Sequence, residues 1–251
     1  MIKKYISVCI ILCGLCVPVF AEDMNSSDWV LSIFAAEKIS PAETGSKNYE
    51  IGKPGPGARI TFRNKYSMQL MIFSLGVSAV MYSDDYLYLS ASMNLEPDDI
   101  SDIQDVSLIS SVEASAGFLF LETNINAEEN FSLYNIEHSG FTVSPGLALR
   151  GKIKDFLKFS LTESITWADE THMEKNFSET DDGEKYCEGS AFESYATKFA
   201  VKWVPSEKWT IKFSALRGSY LEKASNSPAV KNEGGDVFWE TKLMVTYLIS
   251  L

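Results

Sequence analysis

The amino-acid sequence predicts an all-β fold, namely a closed antiparallel β-barrel that spans a membrane with about ten strands. Apolar and polar residues alternate with a period of two over most of the chain, which is typical of strands with one apolar and one polar face. After the N-terminal segment, no apolar run is long enough to form a membrane-spanning helix. Since a bilayer provides no water for open sheet edges, a membrane-spanning sheet has to close into a barrel.

Residues 1–21 have the three parts of a secretory signal peptide. Two lysines precede an almost wholly apolar run, and Ala21 provides the small residue that cleavage requires. The sequence therefore predicts an exported chain whose residues 22–251 form one domain. A lipoprotein signal built on Cys13 or Cys16 is the alternative, although a leucine precedes each cysteine where lipidation sites carry a smaller residue.

The composition argues against nucleic-acid partners and against stabilisation of the fold by disulfide bonds. The formal net charge is −12, and because the signal peptide carries two lysines and no acid, its removal leaves −14. A chain this acidic repels nucleic acid, so we expect no nucleic-acid partner. Cys187 is the one cysteine outside the signal peptide, and a single cysteine forms neither an internal disulfide nor a metal cluster. We expect it to be an exposed thiol in an acidic segment.

The clearest hairpin in the sequence bends around Pro205. Odd-numbered positions on both sides of the bend are apolar, whereas even-numbered positions are lysine, alanine, serine and threonine. Two tryptophans beside a polar bend are typical of the aromatic girdle at a membrane–water boundary. The predicted register pairs Trp203 with Trp209, Val201 with Ile211 and Phe199 with Phe213.

The last segment of the sequence alternates in the same way. Its odd positions are apolar and comprise Leu243, Val245, Tyr247, Ile249 and Leu251. In this respect the chain resembles bacterial outer-membrane β-barrel proteins of the small porin-like class, including those of spirochaetes, as a class-level pattern over most of the mature chain. The resemblance implies a location in the bacterial outer membrane, contact with its lipid, and recognition of this strand by the barrel-assembly machinery. The aromatic residue that usually ends this strand in the family is replaced by Leu251.

Strand-like segments number about ten, an even number, as expected for a single-chain bacterial barrel. They are residues 27–36, 56–64, 67–82, 86–95, 105–122, 131–150, 154–168, 193–204, 208–221 and 236–251. If the first two do not cross the membrane, the barrel has eight. Long polar segments at 37–55, 169–192 and 222–235 are predicted to be external loops, and the tight bends between them to be periplasmic turns.

Charged residues at the polar positions of these strands are predicted to line the lumen of the barrel. They are Arg59, Arg63, Glu113, Lys158, Lys198, Lys202, Lys212, Glu240 and Lys242. Side chains nearly fill a barrel of this size, and charges inside it need partners or water. Two interpretations stay open: an ion-pair plug that closes the barrel, or a narrow channel whose cationic lining favours anions.

Two further features concern the face that would contact lipid. The tryptophans expected at the membrane boundaries are Trp167, Trp203, Trp209 and Trp239. Glu163 falls on the apolar face of its strand, where a bulge or a shift of register would move it to the polar face.

Evidence for a catalytic or metal site in the sequence is weak. The two histidines, His138 and His172, lie near predicted outer strand ends beside acids and a serine, an arrangement that a hydrolase at the barrel mouth would require. Because acids and hydroxyls are common throughout this chain, we assign no catalytic residue. The acidic segment 169–193 matches no calcium-loop spacing, and no cofactor fingerprint is present, so we expect neither a metal nor a cofactor.

These observations favour a small outer-membrane barrel that acts as a narrow pore or transport portal for small solutes. A structural or surface-exposed barrel whose loops bind host or envelope partners is the main alternative. A soluble periplasmic β-sandwich is the third, because an alternating pattern also suits a sheet with one face in a soluble core.

Overall fold

The computed structural model describes residues 29–41, 49–51, 55–62, 66–71, 75–83, 86–97, 106–118, 120–132, 137–154, 156–177, 189–233 and 235–250. The strands are β1 Trp29–Pro41, β2 Tyr49–Ile51, β3 Gly55–Phe62, β4 Tyr66–Met71, β5 Leu75–Ser83, β6 Leu87–Pro97, β7 Val106–Phe118, β8 Leu121–Ser132, β9 Glu137–Ile153, β10 Leu157–Ala168, β11 Ala191–Ser206, β12 Trp209–Tyr220 and β13 Val237–Ser250. The helices are α1 Glu170–Phe177, α2 Glu222–Asn226 and α3 Pro228–Glu233. The predicted signal peptide, Arg63, Cys187 and Leu251 lie outside the described residues. None of the helices in the described ranges is long and apolar enough to cross a membrane.

The strands close into one antiparallel barrel. From β3 to β13 each strand pairs with the next, β1 pairs with β3, and β13 pairs back to β1 from Val30↔Ser250 to Ile39↔Thr241. The three-residue β2 only extends a hairpin on the end of β1. Within the part of the chain that the structure describes, the barrel therefore has twelve strands, so the predicted class is confirmed and the predicted counts of ten or eight are wrong.

The sequence pattern missed two strand boundaries for identifiable reasons. The predicted strand 67–82 is really β4 and β5, and the sequence between them, Ile-Phe-Ser, contains none of the glycine, proline or asparagine that indicates a turn. The other missed strand, β8, is rich in glutamate and asparagine, so its alternation is weak. Its outward positions include threonine, alanine and glutamate as well as Leu121, Ile125 and Phe131.

The hairpin of β11 and β12 has a different register from the predicted one. Trp203 pairs with Ile211 and Val201 with Phe213, and a bulge lies between Trp203 and Ser206. Strand β11 runs through Pro205, which has no N–H for the sheet, and the turn contracts to Glu207 and Lys208. The odd-numbered residues still share one face, because a shift of two residues preserves the alternation.

The barrel has two different ends. At the turn end, β9 ends at Ile153 and β10 begins at Leu157, and residues 207–208 connect β11 to β12. At the helix end, α1 connects β10 to β11, and α2 and α3 connect β12 to β13. Helices α1 and α2 pack against the inner face of the strands there, and α3 packs on these two helices. Their apolar cluster is fully or almost fully buried and comprises Ala168, Met173, Phe177, Ala191, Ala224 and Val230, with Tyr220 packed against it.

Asp169 fixes the position of α1 at this end. Its Oδ1 accepts hydrogen bonds from the backbone N–H of His172 at 2.9 Å and from that of Phe141 in β9 at 3.0 Å. The first bond caps the N-terminus of α1, and the second ties the helix to the barrel wall. Two of the three segments predicted to be external loops, 169–192 and 222–235, thus carry helices that fold into the mouth of the barrel.

Candidate functional site in the barrel lumen

A row of lysines crosses four neighbouring strands near the turn end. Lys152 of β9 pairs with Lys158 of β10, Lys158 pairs with Lys202 of β11, and Lys202 pairs with Lys212 of β12. Directly paired residues in antiparallel strands point to the same side of the sheet. All four side chains therefore project from one face, and we call them the lysine row.

The lysine row lines a cavity of about 910 Å³ inside the barrel. Three further cationic residues line the same cavity, namely Arg150, Lys198 and Lys242, and among the residues that the structure describes no carboxylate belongs to its lining. The lysines of the row lie on the face of the sheet opposite Leu161 and Phe199, which are exposed on the outer face. One wall of the lumen thus carries seven cationic side chains.

Ion pairs neutralise only part of this charge. Glu122 of β8 pairs with Arg150, and Glu240 of β13 pairs with Lys38 of β1 at 3.0 Å. In the described ranges, no ion pair involves Lys158, Lys202 or Lys212. Within these ranges, Lys158, Lys202 and Lys212 are therefore not neutralised by a carboxylate.

Arg59 extends the positive charge to the adjacent wall. Its guanidinium donates hydrogen bonds to Gln69 Oε1, one of them from Nε at 3.1 Å, and lies 6.0 Å from the ring centre of Phe34. Lys212 interacts electrostatically with Lys202, Lys242 and Arg59. Like charges held this close raise the local positive potential and attract anions.

The wall formed by β7 and β8, which adjoins the cationic wall at β9, has a different character. Along β8 the inward positions are Glu122, Asn124, Asn126, Glu128 and Asn130, and the inward face of β7 contributes serines and Glu113, which pairs with Asn126. These amides and carboxylates make this wall polar and partly acidic. The lumen is therefore polarised, with cations on the side of β9–β13.

The predicted lumen residues occupy several places. The five predicted lysines all line the cavity, Arg59 adjoins it, Glu113 lies on the neighbouring wall of β7 and β8, and Glu240 is paired with Lys38. Sequence reasoning missed Lys152, which had been placed in a bend, and Arg150, Lys38 and Glu122. Arg150 and Lys152 are even-numbered, like the other inward-facing residues of β9. Extending the alternation of this strand to residue 152 would have identified both as lumen residues.

Tryptophans lie on the outer face at both ends of the barrel, where Trp203, Trp209 and Trp239 are exposed and Trp167 is half-buried. Trp203 and Trp209 are near the turn end, and the Trp209 ring lies 4.9 Å from that of Tyr247. Trp167 and Trp239 lie near the helix end. Between these levels the outer face is largely apolar, including Phe159, Leu161, Phe199, Phe213 and Leu243.

Strand β13 closes the barrel through its apolar positions as well as its backbone. Leu243 pairs with Phe213 on one side and Glu37 on the other, while Val245 pairs with Ile211 and Ala35. Two further apolar positions contact β1, through the pairs Tyr247↔Ile33 and Ile249↔Leu31.

The two histidines do not form a common site. His138 contacts Glu129 at 3.5 Å and packs edge-on against Phe131, whereas His172 of α1 contacts Glu193 at 3.2 Å within the mouth. Among the residues that the structure describes, no group of three His, Cys, Asp or Glu side chains is arranged to hold a metal ion. We assign no chemistry to these pairs.

Solved structures that are similar to this chain include outer-membrane porins and an outer-membrane channel. The NanC porin matches with a TM-score of 0.48 and the KdgM porin with 0.43, each at 10% identity over 86% of this chain and 98% of the other. An outer membrane channel from Pseudomonas putida F1 matches with a TM-score of 0.44 and 7% identity over 91% of this chain and 97% of its own. No protein-family model and no curated protein matches the chain. Similarities this weak transfer no function, so the function has to be inferred from the geometry of this chain.

Proposed function

We propose that this protein is a bacterial outer-membrane pore that conducts small solutes and prefers anions. The observation that carries the proposal is the cavity of about 910 Å³, whose lining in the described part of the chain contains seven cationic residues and no carboxylate. Positive charge in a narrow, low-dielectric passage concentrates anions and excludes cations.

The outer surface supports placement in a membrane. Many large apolar side chains are more than a third exposed on the outer face, and in water such a surface would cause aggregation. Tryptophans near both ends suit the two membrane–water boundaries, where indole rings are enriched. The predicted alternative of a soluble periplasmic sandwich needs a second sheet to cover this face, whereas here a single sheet closes on itself.

Two of the earlier predictions remain part of this proposal. The apolar positions of β13 would present the strand to the barrel-assembly machinery, and the tryptophans would anchor the barrel in outer-membrane lipid. Helices α1 to α3 narrow the mouth at the helix end, which limits the pore to small solutes.

Planar-bilayer recording of protein purified in detergent from outer membranes tests the pore. We expect stepwise conductance, and under a KCl gradient a reversal potential whose sign indicates that chloride is the more permeant ion. Heat-modifiable gel mobility would establish that the sample is folded. Folded protein that gives no conductance steps, or that prefers potassium, would contradict the proposal.

A further inference from the structure

We propose that the lysine row, together with Arg59 and Lys242, is a binding site for small molecules that carry several negative charges, such as oligophosphates or polycarboxylates. This inference rests on the proposed pore and names the solute class that its lumen would select. A general preference for anions requires only net positive charge. A binding site for multivalent anions requires several cations within reach of one molecule.

The sheet geometry provides that arrangement. Neighbouring antiparallel strands lie about 4.8 Å apart, so the Cα atoms of Lys158, Lys202 and Lys212 span about 10 Å across three strands. Lys242 of β13 lines the same cavity, and both Lys242 and Arg59 interact electrostatically with Lys212. Flexible side chains of four methylenes let all these ammonium groups converge on one molecule.

The charge balance favours a multivalent occupant over chloride. Lys158, Lys202 and Lys212 form no ion pair in the described part of the chain, and Lys202 is electrostatically coupled to Lys158 and Lys212 to Lys202. A single chloride offsets one of these charges and leaves the repulsion among the others. An anion with three or more charges offsets the repulsion among several lysines at once, so its binding is favoured by more than the sum of separate contacts.

The chemistry of the cations defines what is recognised. Ammonium groups bind as compact point charges and do not impose the planar, bidentate geometry of guanidinium. Arg59 is the exception, and its guanidinium is already hydrogen-bonded to Gln69. The site would therefore select by charge rather than by the shape of a carboxylate or phosphate.

Isothermal titration calorimetry of the detergent-purified protein with inorganic tripolyphosphate tests the site without relying on conductance. At low salt we expect saturable binding of tripolyphosphate and much weaker binding of chloride. The triple variant Lys158→Gln, Lys202→Gln, Lys212→Gln should bind at least about tenfold more weakly, since each exposed charge pair contributes up to a factor of about five. Affinity should also fall as salt rises.

The matched control removes three lysines outside the row. Lys208, Lys223 and Lys231 are all exposed, and Lys208→Gln, Lys223→Gln, Lys231→Gln changes the net charge equally. If the row variant does not fold, the single variant Lys212→Gln should still weaken binding measurably. Equal loss of binding in the row and control variants, or no binding to wild-type protein, would overturn the site.

Bilayer recording separates this inference from the pore itself. Micromolar tripolyphosphate should reduce chloride current in the wild type and have less effect in the row variant. An anion-selective pore that tripolyphosphate neither binds nor blocks would overturn the site and leave the pore standing. Row-dependent binding by a folded barrel without conductance would support the site and contradict the pore.

Discussion

Tyr195 donates a hydrogen bond from its hydroxyl group to the carboxylate of Glu163 on the outer face of the barrel. Thr197, the cross-strand partner of Glu163, donates a second hydrogen bond at 2.8 Å. No bulge or change of register moves Glu163 inward, because β10 and β11 stay in register from Leu157 to Thr166. Two hydroxyl donors on the neighbouring strand thus accommodate an acid among apolar side chains, where an unpartnered carboxylate would be costly.

Replacing Tyr195 with phenylalanine should destabilise the barrel, since Glu163 then keeps only the donor from Thr197. The same change in a Glu163→Leu background should have little effect, because no carboxylate remains to be satisfied. Urea unfolding of all four proteins in lipid vesicles measures this double-mutant cycle. Equal effects in both backgrounds would show that the hydrogen bond contributes nothing to stability.

Gly140 should not tolerate alanine, because its backbone is left-handed at φ +129° and α1 leaves no space for a side chain. A Cβ there would lie 2.5 Å from the Cβ and 2.6 Å from the Cα of His172. We expect Gly140→Ala to displace α1 and to expose it to protease.

Gly189 provides the matched control for this substitution. It also has positive φ, at +79°, but its nearest neighbour is the flexible end of Lys223 at 3.8 Å. Gly189→Ala should cost only the backbone strain of roughly 1 to 2 kcal/mol. If both variants show the same loss of stability and the same protease sensitivity, close packing of α1 on β9 is not what constrains Gly140.

The buried cluster at the helix end should control access to the lumen. Phe177 is 1% exposed, and its ring lies 5.5 Å from that of Tyr220 on the inner face of β12. Phe177→Ala removes packing worth about 3 to 5 kcal/mol, enough to release α1 from the wall. We expect higher or noisier single-channel conductance, while Glu170→Gln, at an exposed position of the same helix, should leave the current traces unchanged.

Neutralising Glu122 should strengthen the anion preference and weaken the fold. Glu122 is 8% exposed and pairs with Arg150 on the cationic wall, so Glu122→Gln adds one unneutralised charge there. We expect a reversal potential shifted further toward that of chloride and a loss of roughly 1 to 2 kcal/mol in the free energy of unfolding.

A substitution in the ion pair Glu240–Lys38 separates the effect on ion selectivity from the effect on the free energy of unfolding. Both side chains are well exposed, so Glu240→Gln should cost less than about 1 kcal/mol. It should still shift the reversal potential in the same direction. A shift toward potassium in either variant would contradict the electrostatic explanation.

Much of the barrel could be predicted because alternation depends only on local sequence. The parity of residues along each strand placed Lys158, Lys202 and Lys212 on one face and Trp203 on the other. Parity cannot provide the strand count or the register, which depend on turns and bulges. The bulge before Ser206 changed the register of one hairpin, and the strand break after Met71 has no turn residues to mark it.

Helix α1 in the mouth was missed because the segment 169–193 is rich in acidic residues and resembles a solvated loop. Asp169 followed by the helical spacing of Met173 and Phe177 was the available indication of α1. The concentration of cations on one wall could not have been predicted either, since it requires knowing that β9 to β13 are consecutive neighbours around a closed barrel.

Reversal-potential measurement on a protein with three lysines of the row reversed in charge tests whether permeating ions pass along the cationic wall. The variant Lys158→Glu, Lys202→Glu, Lys212→Glu places three acids where the wild-type lumen carries three cations. With heat-modifiable mobility confirming a folded barrel, we predict that the preference for chloride in a KCl gradient inverts to a preference for potassium. Conductance with an unchanged reversal potential would mean that ions do not pass this wall, and the proposed pathway would be wrong.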